Sequence, residues 1–325
     1  MHHWTAADIP DLAGRRAVVT GANSGLGLEV SRVLAAHGAS VVLACRNLAK
    51  ADAAADQILA STPGANLRVR QLDLGDLGSV AAFAAGMNES TKRIDLLVNN
   101  AGLMGTDLAL TVDGFEEQFG VNHLGAYALT LQLLPLLTAA APTQPAARIV
   151  AVSSIAHRNG QIDFTDPNFL DRGYGRWRAY GQSKLANLLF TLELQRRLVV
   201  CGARAIALTA HPGLARTDLG AEGNGITSRA VSAVMPVITA PVASGALPLL
   251  RAAADPSLKG GEFIGPRLIA WGDPVQERPG RRARDFVAAR RLWDLSAQLT
   301  GVGPDIAGLC SRPSRAPRQP KRPHT

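Results

Sequence analysis

Cysteine and aromatic residues are scarce in this sequence. The chain of 325 residues has three cysteines, Cys45, Cys201 and Cys310, and only 5% of its residues are aromatic. The cysteines show neither CxxC spacing nor the spacing of zinc ligands, and the seven histidines form no HExxH pattern. We therefore predict no metal site. So few cysteines favour reduced thiols, and with them a cytoplasmic location.

Long uninterrupted apolar runs are also missing. Met1–Gly14 has no basic stretch followed by an apolar one, which argues against a signal peptide. The two most apolar stretches, 125–141 and 230–254, are broken by polar residues and by proline. A membrane-spanning helix needs about 20 mainly apolar residues with all backbone hydrogen bonds kept inside the helix. The sequence therefore predicts no transmembrane segment.

Acidic residues are rare at the C-terminal end, although the whole chain has 26 of them against 34 lysines and arginines. In residues 304–325 Asp305 stands alone against five cations, namely Arg312, Arg315, Arg318, Lys321 and Arg322. A Pro- and Arg-rich segment with few large apolar side chains cannot offset the entropy of ordering. We predict a disordered, solvated tail; binding of nucleic acid or an anionic membrane is the less favoured alternative.

The remaining chain is rich in the residues of a buried sheet, with 47% hydrophobic residues and 32 glycines. Short Val-, Ile- and Leu-rich runs alternate with longer helical patterns, which is typical of β-α-β units. The predicted strands are Ala17–Thr20, Ser40–Ala44, Leu67–Leu72, Leu96–Asn99, Arg148–Val152, Arg204–Leu208 and Glu262–Ile264. We predict one α/β domain over residues 1–303, a doubly wound parallel sheet of about seven strands with helices on both faces.

A glycine-rich turn follows the first predicted strand and opens a helix. Gly21 permits a tight turn, Gly25 lets the backbone approach a pyrophosphate, and Gly27 allows close packing of helix and strand. The helix start offers free N–H groups to the phosphates of a dinucleotide. Such a turn is a weak signal alone, but its place between strand and helix strengthens it. The predicted binding residues are Gly21, Asn23, Ser24, Gly25, Leu26 and Gly27.

The end of the second strand bears on which dinucleotide is bound. An NAD-binding chain would place an acidic residue there for the adenosine ribose, whereas this chain has Arg46. A guanidinium pairs with a 2′-phosphate through charge-assisted bonds, and Lys50 could add a second charge. An ordinary surface arginine is the alternative. We favour NADP(H) over NAD(H).

Two further strand ends are candidate contacts of the coenzyme. Asp73 with Leu74 could receive the adenine amino group, although Asp73 could equally cap a helix. Asn100, Ala101 and Gly102 would bring the backbone close to the ribose, although a plain turn explains them equally well.

The residues that carry chemistry lie later in the chain. Tyr180 and Lys184 are four residues apart and share one helical face, so the ammonium could lower the pKa of the phenol and make it an acid–base catalyst. The fifth strand ends in Ser153 and Ser154, either of which could hold a substrate oxygen. Asn122, in the helical stretch after strand four, could hold a water that links Lys184 to solvent.

Together these motifs resemble the short-chain dehydrogenase/reductase family, with its Rossmann-like fold, and within it the retinol dehydrogenase-like branch and uncharacterised actinobacterial members. The resemblance runs from Thr20 to Thr217 and includes TGxxxGxG, NNAG, YxxxK and Pro212-Gly213. It implies a catalytic tetrad of Asn122, Ser154, Tyr180 and Lys184. It also implies contacts of Pro212 and Thr217 with the coenzyme and a homo-oligomeric protein.

The predicted function is therefore that of an NADP(H)-dependent oxidoreductase which interconverts an alcohol and a carbonyl, with Tyr180 as the acid/base. The stretch from Thr217 to about Pro248 is rich in Ala, Val, Ile and Met, which indicates a lipophilic small-molecule substrate. The alternative is an NADP(H)-binding sensor or interaction protein without activity, since a fold does not determine its function.

Overall fold

The structure is a computed structural model that describes residues 3–139, 144–213, 241–269 and 271–303. Its centre is a single sheet of eight strands in the order β3-β2-β1-β4-β5-β6-β7-β8. The strands are β1 (Arg16–Thr20), β2 (Ser40–Cys45), β3 (Leu67–Gln71), β4 (Leu96–Asn99), β5 (Ala147–Val152), β6 (Ala205–Ala210), β7 (Phe263–Pro266) and β8 (Pro274–Glu277). The doubly wound α/β fold class is thereby confirmed.

Strand β8 is the one departure from a purely parallel sheet. The pairs from β3 through to β7 are parallel, whereas β8 runs antiparallel to β7, with Gly265 opposite Val275. It has only four residues and begins with a proline, so no alternating pattern marks it in the sequence. The prediction of about seven strands missed this edge strand for that reason.

Helices cover both faces of the sheet. They are α1 (Gly25–Ala36), α2 (Leu48–Ser61), α3 (Leu77–Ser90), α4 (Glu117–Phe119), α5 (Gly125–Leu137), α6 (Arg176–Val200), α7 (Val242–Ala254) and α8 (Phe286–Thr300). A π-helical turn, Gly120–Leu124, joins α4 to α5, and 3-10 turns lie at Ala6–Asp8, Ile155–Arg158 and Arg281–Arg284.

The hydrophobic core has two layers, because neighbouring strand residues point to opposite faces of the sheet. Val19 and Leu43 pack with α1, α2 and α7 on one face, while Val18 and Val42 pack with α3, α5 and α6 on the other. Helix α8 adds to α6 from outside. Full burial of one such side chain stabilises the fold by about 1.5–3 kcal/mol.

The strand order determines where a ligand cleft can form. β1 lies between β2 and β4, so the chain winds outward in one direction and then in the other. The loops after β1 and β4 therefore diverge at the carboxyl edge of the sheet, which is where open α/β sheets bind ligands. The glycine turn follows β1 at this edge.

Several expectations fall on residues that are not described. Thr217, most of the predicted pocket wall and the tail 304–325 lie outside the described ranges. Within those ranges no helix is long and apolar enough to span a membrane. The reduced state expected of the cysteines holds for Cys45, a buried free thiol, but not for Cys201, which is disulfide-bonded.

Trp293 is expected to contribute strongly to stability. Its buried indole lies on α8 and packs against Tyr127 and Phe190, with ring centroids 5.4 and 5.8 Å away. Trp293→Ala should lower the free energy of unfolding by about 3–5 kcal/mol, measured by urea denaturation, because a large cavity is left. Val287→Ala on the same helix, at a side chain 78% exposed, is the matched control and should change it by less than about 0.5 kcal/mol. Equal losses would contradict this role.

Candidate active site

The glycine turn after β1 is folded as a close contact between backbone segments. Gly21 has φ +63, in the left-handed region that glycine favours. A Cβ at Gly27 would lie 2.3 Å from the Gly21 carbonyl oxygen, so only glycine allows α1 to start this near to β1. Ser24 is the N-cap of α1 and makes no side-chain cap hydrogen bond. Its hydroxyl and the first N–H groups of the helix therefore remain available to an anion.

Thr20 ties the glycine turn to the end of β4. Its hydroxyl oxygen accepts hydrogen bonds from the backbone N–H groups of Asn100, at 3.0 Å, and Ala101, at 2.9 Å. The side-chain amide of Asn100 in turn donates to the Thr20 carbonyl at 2.9 Å. Asn100 thus braces the turn with its side chain. Sequence reasoning missed Thr20, although its place as the last residue of β1 was visible.

Cys45 is a second residue that sequence reasoning did not place here. The N–H groups of Ala22 and Asn23 donate to its sulfur, which holds the middle of the glycine turn against the end of β2. Burial raises the pKa of this thiol to about 11, so it is a protonated structural group and not a nucleophile. Nothing in the local sequence indicates this contact, because it joins two different strand ends.

The side chains predicted to contact the adenosine half lie at the ends of β2 and β3. Arg46 is exposed and forms no ion pair within the described part of the chain. Asp73 accepts a hydrogen bond from the Gly75 N–H at 2.9 Å, and Leu74 is buried beside it. Asp76, not Asp73, caps α3 by accepting from Gly78 and Ser79. The alternative of Asp73 as the helix cap is therefore wrong.

Helix α6 is fastened to the end of β5 by polar contacts at buried positions. The Val152 carbonyl accepts hydrogen bonds from Lys184 Nζ at 3.1 Å and from Asn187 Nδ2 at 3.0 Å. The Ser153 hydroxyl donates to the Lys184 carbonyl at 2.8 Å. The Ser153 hydroxyl therefore holds α6 against the end of β5. Asn187 was also missed, although it lies three residues after Lys184 and so on the same helical face.

Ser154, the other member of the serine pair, faces Tyr180. Its side chain is half-buried, accepts a hydrogen bond from the Ala156 N–H at 3.2 Å, and lies near enough to the phenol to favour its ionised form. Glycine at position 160 allows the loop after β5 to lie this close to α6. A Cβ there would come 2.2 Å from the Gly181 carbonyl oxygen. The structure thus separates two residues that the sequence left as alternatives.

Burial dominates the protonation of Tyr180 and Lys184. It raises the pKa of the Tyr180 phenol to about 12, with the Ser154 hydrogen bond acting in the opposite direction. Burial lowers the pKa of the Lys184 ammonium to about 8. Lys184 Nζ lies 5.7 Å from the centre of the Tyr180 ring, so the two share one face. In the chain alone burial raises the phenol pKa, contrary to the lowering expected from this ammonium.

Asn122 lies in the π-helical turn between α4 and α5. Its Oδ1 accepts from the Leu103 N–H at 2.6 Å, and its Nδ2 donates to the Leu103 carbonyl and to the Ser183 hydroxyl, each at 2.9 Å. π-helical turns often mark functional positions. The side chain of Asn122 thus ties the loop after β4 to α6, beside Lys184.

Pro212 and Gly213 follow β6 at the same edge of the sheet. His211, which precedes them, is fully buried; its Nε2 lies 2.9 Å from Glu277 Oε1 on β8, and its Nδ1 accepts from the Gly213 N–H at 3.2 Å. Strand β8 therefore anchors the start of the loop that follows β6.

The arrangement fits a nicotinamide dinucleotide. Gly27 leaves no room for a side chain where α1 meets the turn, Ser24 leaves the helix start uncapped, and Arg46 stands free at the adenosine end. Ser154, Tyr180 and Lys184 lie at the carboxyl ends of the central strands, on the same edge as the turn. Among the described residues no three His, Cys, Asp or Glu side chains are grouped to hold a metal.

Sequence and structure comparisons identify relatives over most of the chain. Human retinol dehydrogenase 13 is 42% identical over 294 residues, which covers 90% of this chain and 86% of the relative. Human retinol dehydrogenase 12 is 39% identical, covering 90% of this chain and 88% of the relative.

Solved structures show the same likeness. An uncharacterised protein of Mycobacterium paratuberculosis matches with TM-score 0.77 and 45% identity, covering 92% of this chain and 98% of its own. A short chain dehydrogenase of Escherichia coli, solved in complex with NADPH, matches with TM-score 0.60 and 26% identity, covering 78% of this chain and 98% of its own. The family model described as short chain dehydrogenase matches residues 15–225. The chain therefore belongs to the short-chain dehydrogenase family of oxidoreductases.

Proposed function

We propose that this protein is an NADP(H)-dependent oxidoreductase that interconverts an alcohol and a carbonyl through Tyr180. The observation that carries the proposal is the contact of Ser154 with the Tyr180 phenol beside the buried Lys184, on the sheet edge that also carries the glycine turn. The retinol dehydrogenases among its relatives act on an alcohol, which supports this reaction class.

Preference for NADP(H) rests on the end of β2. Arg46 has no anionic partner in the described part of the chain and is exposed, so its guanidinium can pair with a 2′-phosphate. The glycine turn with Ser24 would hold the pyrophosphate, and Asp73 with Leu74 the adenine. Ala101, Gly102, Pro212 and Thr217 would border the nicotinamide half. The related Escherichia coli enzyme was solved with NADPH, which supports the same choice.

In the reducing direction a bound NADPH would supply the hydride that the carbonyl carbon receives. Ser154 donates a hydrogen bond to the substrate oxygen and positions it at the Tyr180 phenol. A phenol is protonated at neutral pH and burial raises its pKa further, so Tyr180 has a proton to donate to that oxygen. Lys184 lies near the phenol with a pKa of about 8, close enough to neutrality to return the proton, and would also bind the nicotinamide ribose. Asn122 holds the loop that faces Lys184.

The substrate is proposed to be lipophilic. Trp177, one turn before Tyr180 on α6, is 63% exposed, and its ring centroid lies 6.2 Å from that of Tyr180. A large apolar ring left exposed at the mouth of a site offers a surface to an apolar ligand. A cytoplasmic location and a homo-oligomeric state stay predictions from the sequence.

Tyr180→Phe tests the chemistry. The purified variant should lose at least about 100-fold in kcat for the best substrate in a panel of aldehydes, ketones and secondary alcohols, because it lacks the acid/base hydroxyl. NADPH binding, followed by fluorescence, should remain within about threefold, since the ring stays in place. Tyr127→Phe, the same change in the core, is the control and should keep its activity. Unchanged turnover in Tyr180→Phe would overturn the mechanism. If the natural chain binds NADPH but turns over no substrate in the panel, the result would favour a sensor.

Arg46→Gln tests the choice of coenzyme. Loss of a charge-assisted bond to the 2′-phosphate should lower kcat/KM for NADPH by about 10- to 100-fold while changing that for NADH by less than about threefold. Arg290→Gln, which removes an exposed arginine from α8, is the control for net charge. A parallel fall with both coenzymes would refute the assignment.

A further inference from the structure

A second pocket lies at the opposite end of the sheet from the glycine turn. It has a volume of about 680 Å³ and is bordered by the starts of β1 and β2 and by the residues that lead into β4. β1 has five residues, so roughly 15 Å of strand separates this end from the glycine turn. A ligand here would therefore not overlap the coenzyme.

The pocket is strongly cationic. Arg15, Arg16, Lys92 and Arg93 border it, against the single carboxylate of Asp95. That carboxylate is already engaged: Arg93 pairs with Oδ1 at 2.7 Å, and the backbone N–H of Arg16 donates to Oδ2 at 2.9 Å. Arg15 also pairs with Oδ1, at 3.5 Å, so the side chains of Arg16 and Lys92 are the cations left without a counter-charge from this group.

The excess of positive charge in the pocket wall is clearest at Arg15. Its Nε is buried and has no hydrogen-bond partner, since the nearest Asp95 oxygen is 3.5 Å away and bound to Arg93. Burial lowers the pKa of this guanidinium, Asp95 opposes that shift, and the neighbouring Arg93 adds to it. A buried donor without an acceptor destabilises the fold. An anion in the pocket would relieve the repulsion between these two guanidinium groups.

Two cations in the wall are free to bind such an anion. Neither the guanidinium of Arg16 nor the ammonium of Lys92 forms an ion pair within the described ranges. Guanidinium groups match the geometry of phosphate oxygens, and several cations against one carboxylate suit a ligand with more than one negative charge. The volume lies within the usual range for small-molecule sites.

We propose that this pocket binds a small anion with two adjacent phosphate groups, either free or carried by a nucleoside. The site is separate from the coenzyme cleft and does not depend on the reaction proposed above. Arg16 and Lys92 supply direct contacts, and Arg15 and Arg93 add positive charge to the wall.

The test is calorimetric titration of the full chain with inorganic pyrophosphate and with uridine diphosphate, at 0.15 M salt and with saturating NADP⁺ present. Saturable binding to one site is expected. The double variant Arg16→Gln/Lys92→Gln should weaken it at least about 10-fold, and Lys92→Gln alone about threefold, because charge-assisted bonds are lost. The matched control Arg284→Gln/Arg290→Gln removes the same charge from an exposed surface and should change affinity by less than about twofold.

The outcomes separate the sources of the ligand. Much tighter binding of uridine diphosphate supports a nucleoside-borne ligand, and equal affinities support the free anion. Absence of saturable binding, equal losses in the pocket and control variants, or binding seen only without NADP⁺ would overturn the proposal. Because no substrate is turned over, these results are independent of whether the proposed reaction is correct.

Discussion

The carbonyl oxygen of Val152 is the point on which the candidate active site depends. It ends β5 and accepts hydrogen bonds from Lys184 and from Asn187, so one buried strand end holds both the lysine and the helix that carries it. Since a carbonyl has two lone pairs, this contact satisfies it fully. Tyr180 lies one turn earlier on the same helix, and its position beside the next strand-end residues follows from this attachment.

The same burial that holds these groups in place governs their charge. In an apolar environment the neutral forms of phenol and amine are favoured, so the pKa of Tyr180 rises and that of Lys184 falls. A protonated phenol suits the reducing direction. In the oxidising direction of the proposed reaction the phenol would have to lose its proton, and the positive charge of an oxidised nicotinamide would favour that loss.

The two ends of the sheet differ in how they present positive charge. At the carboxyl end the glycine turn offers backbone N–H groups and the start of α1, with Arg46 as the free side chain. At the amino end the charge comes from side chains crowded around Asp95, with a buried donor on Arg15 left unmet. The fold itself fixes the backbone N–H groups of the glycine turn. The sheet would form without the cluster of cationic side chains at its amino end.

By itself the sequence determined the parallel strands, the glycine turn and the shared face of Tyr180 and Lys184, because each depends on residues that are close together in the chain. Only the tertiary structure separated Ser153 from Ser154, gave Asn100 its bracing role and set the direction of the Tyr180 pKa shift. It also added β8, which has no pattern of its own. These features depend on which distant segments meet, and on how much water their contact excludes, which local spacing does not encode.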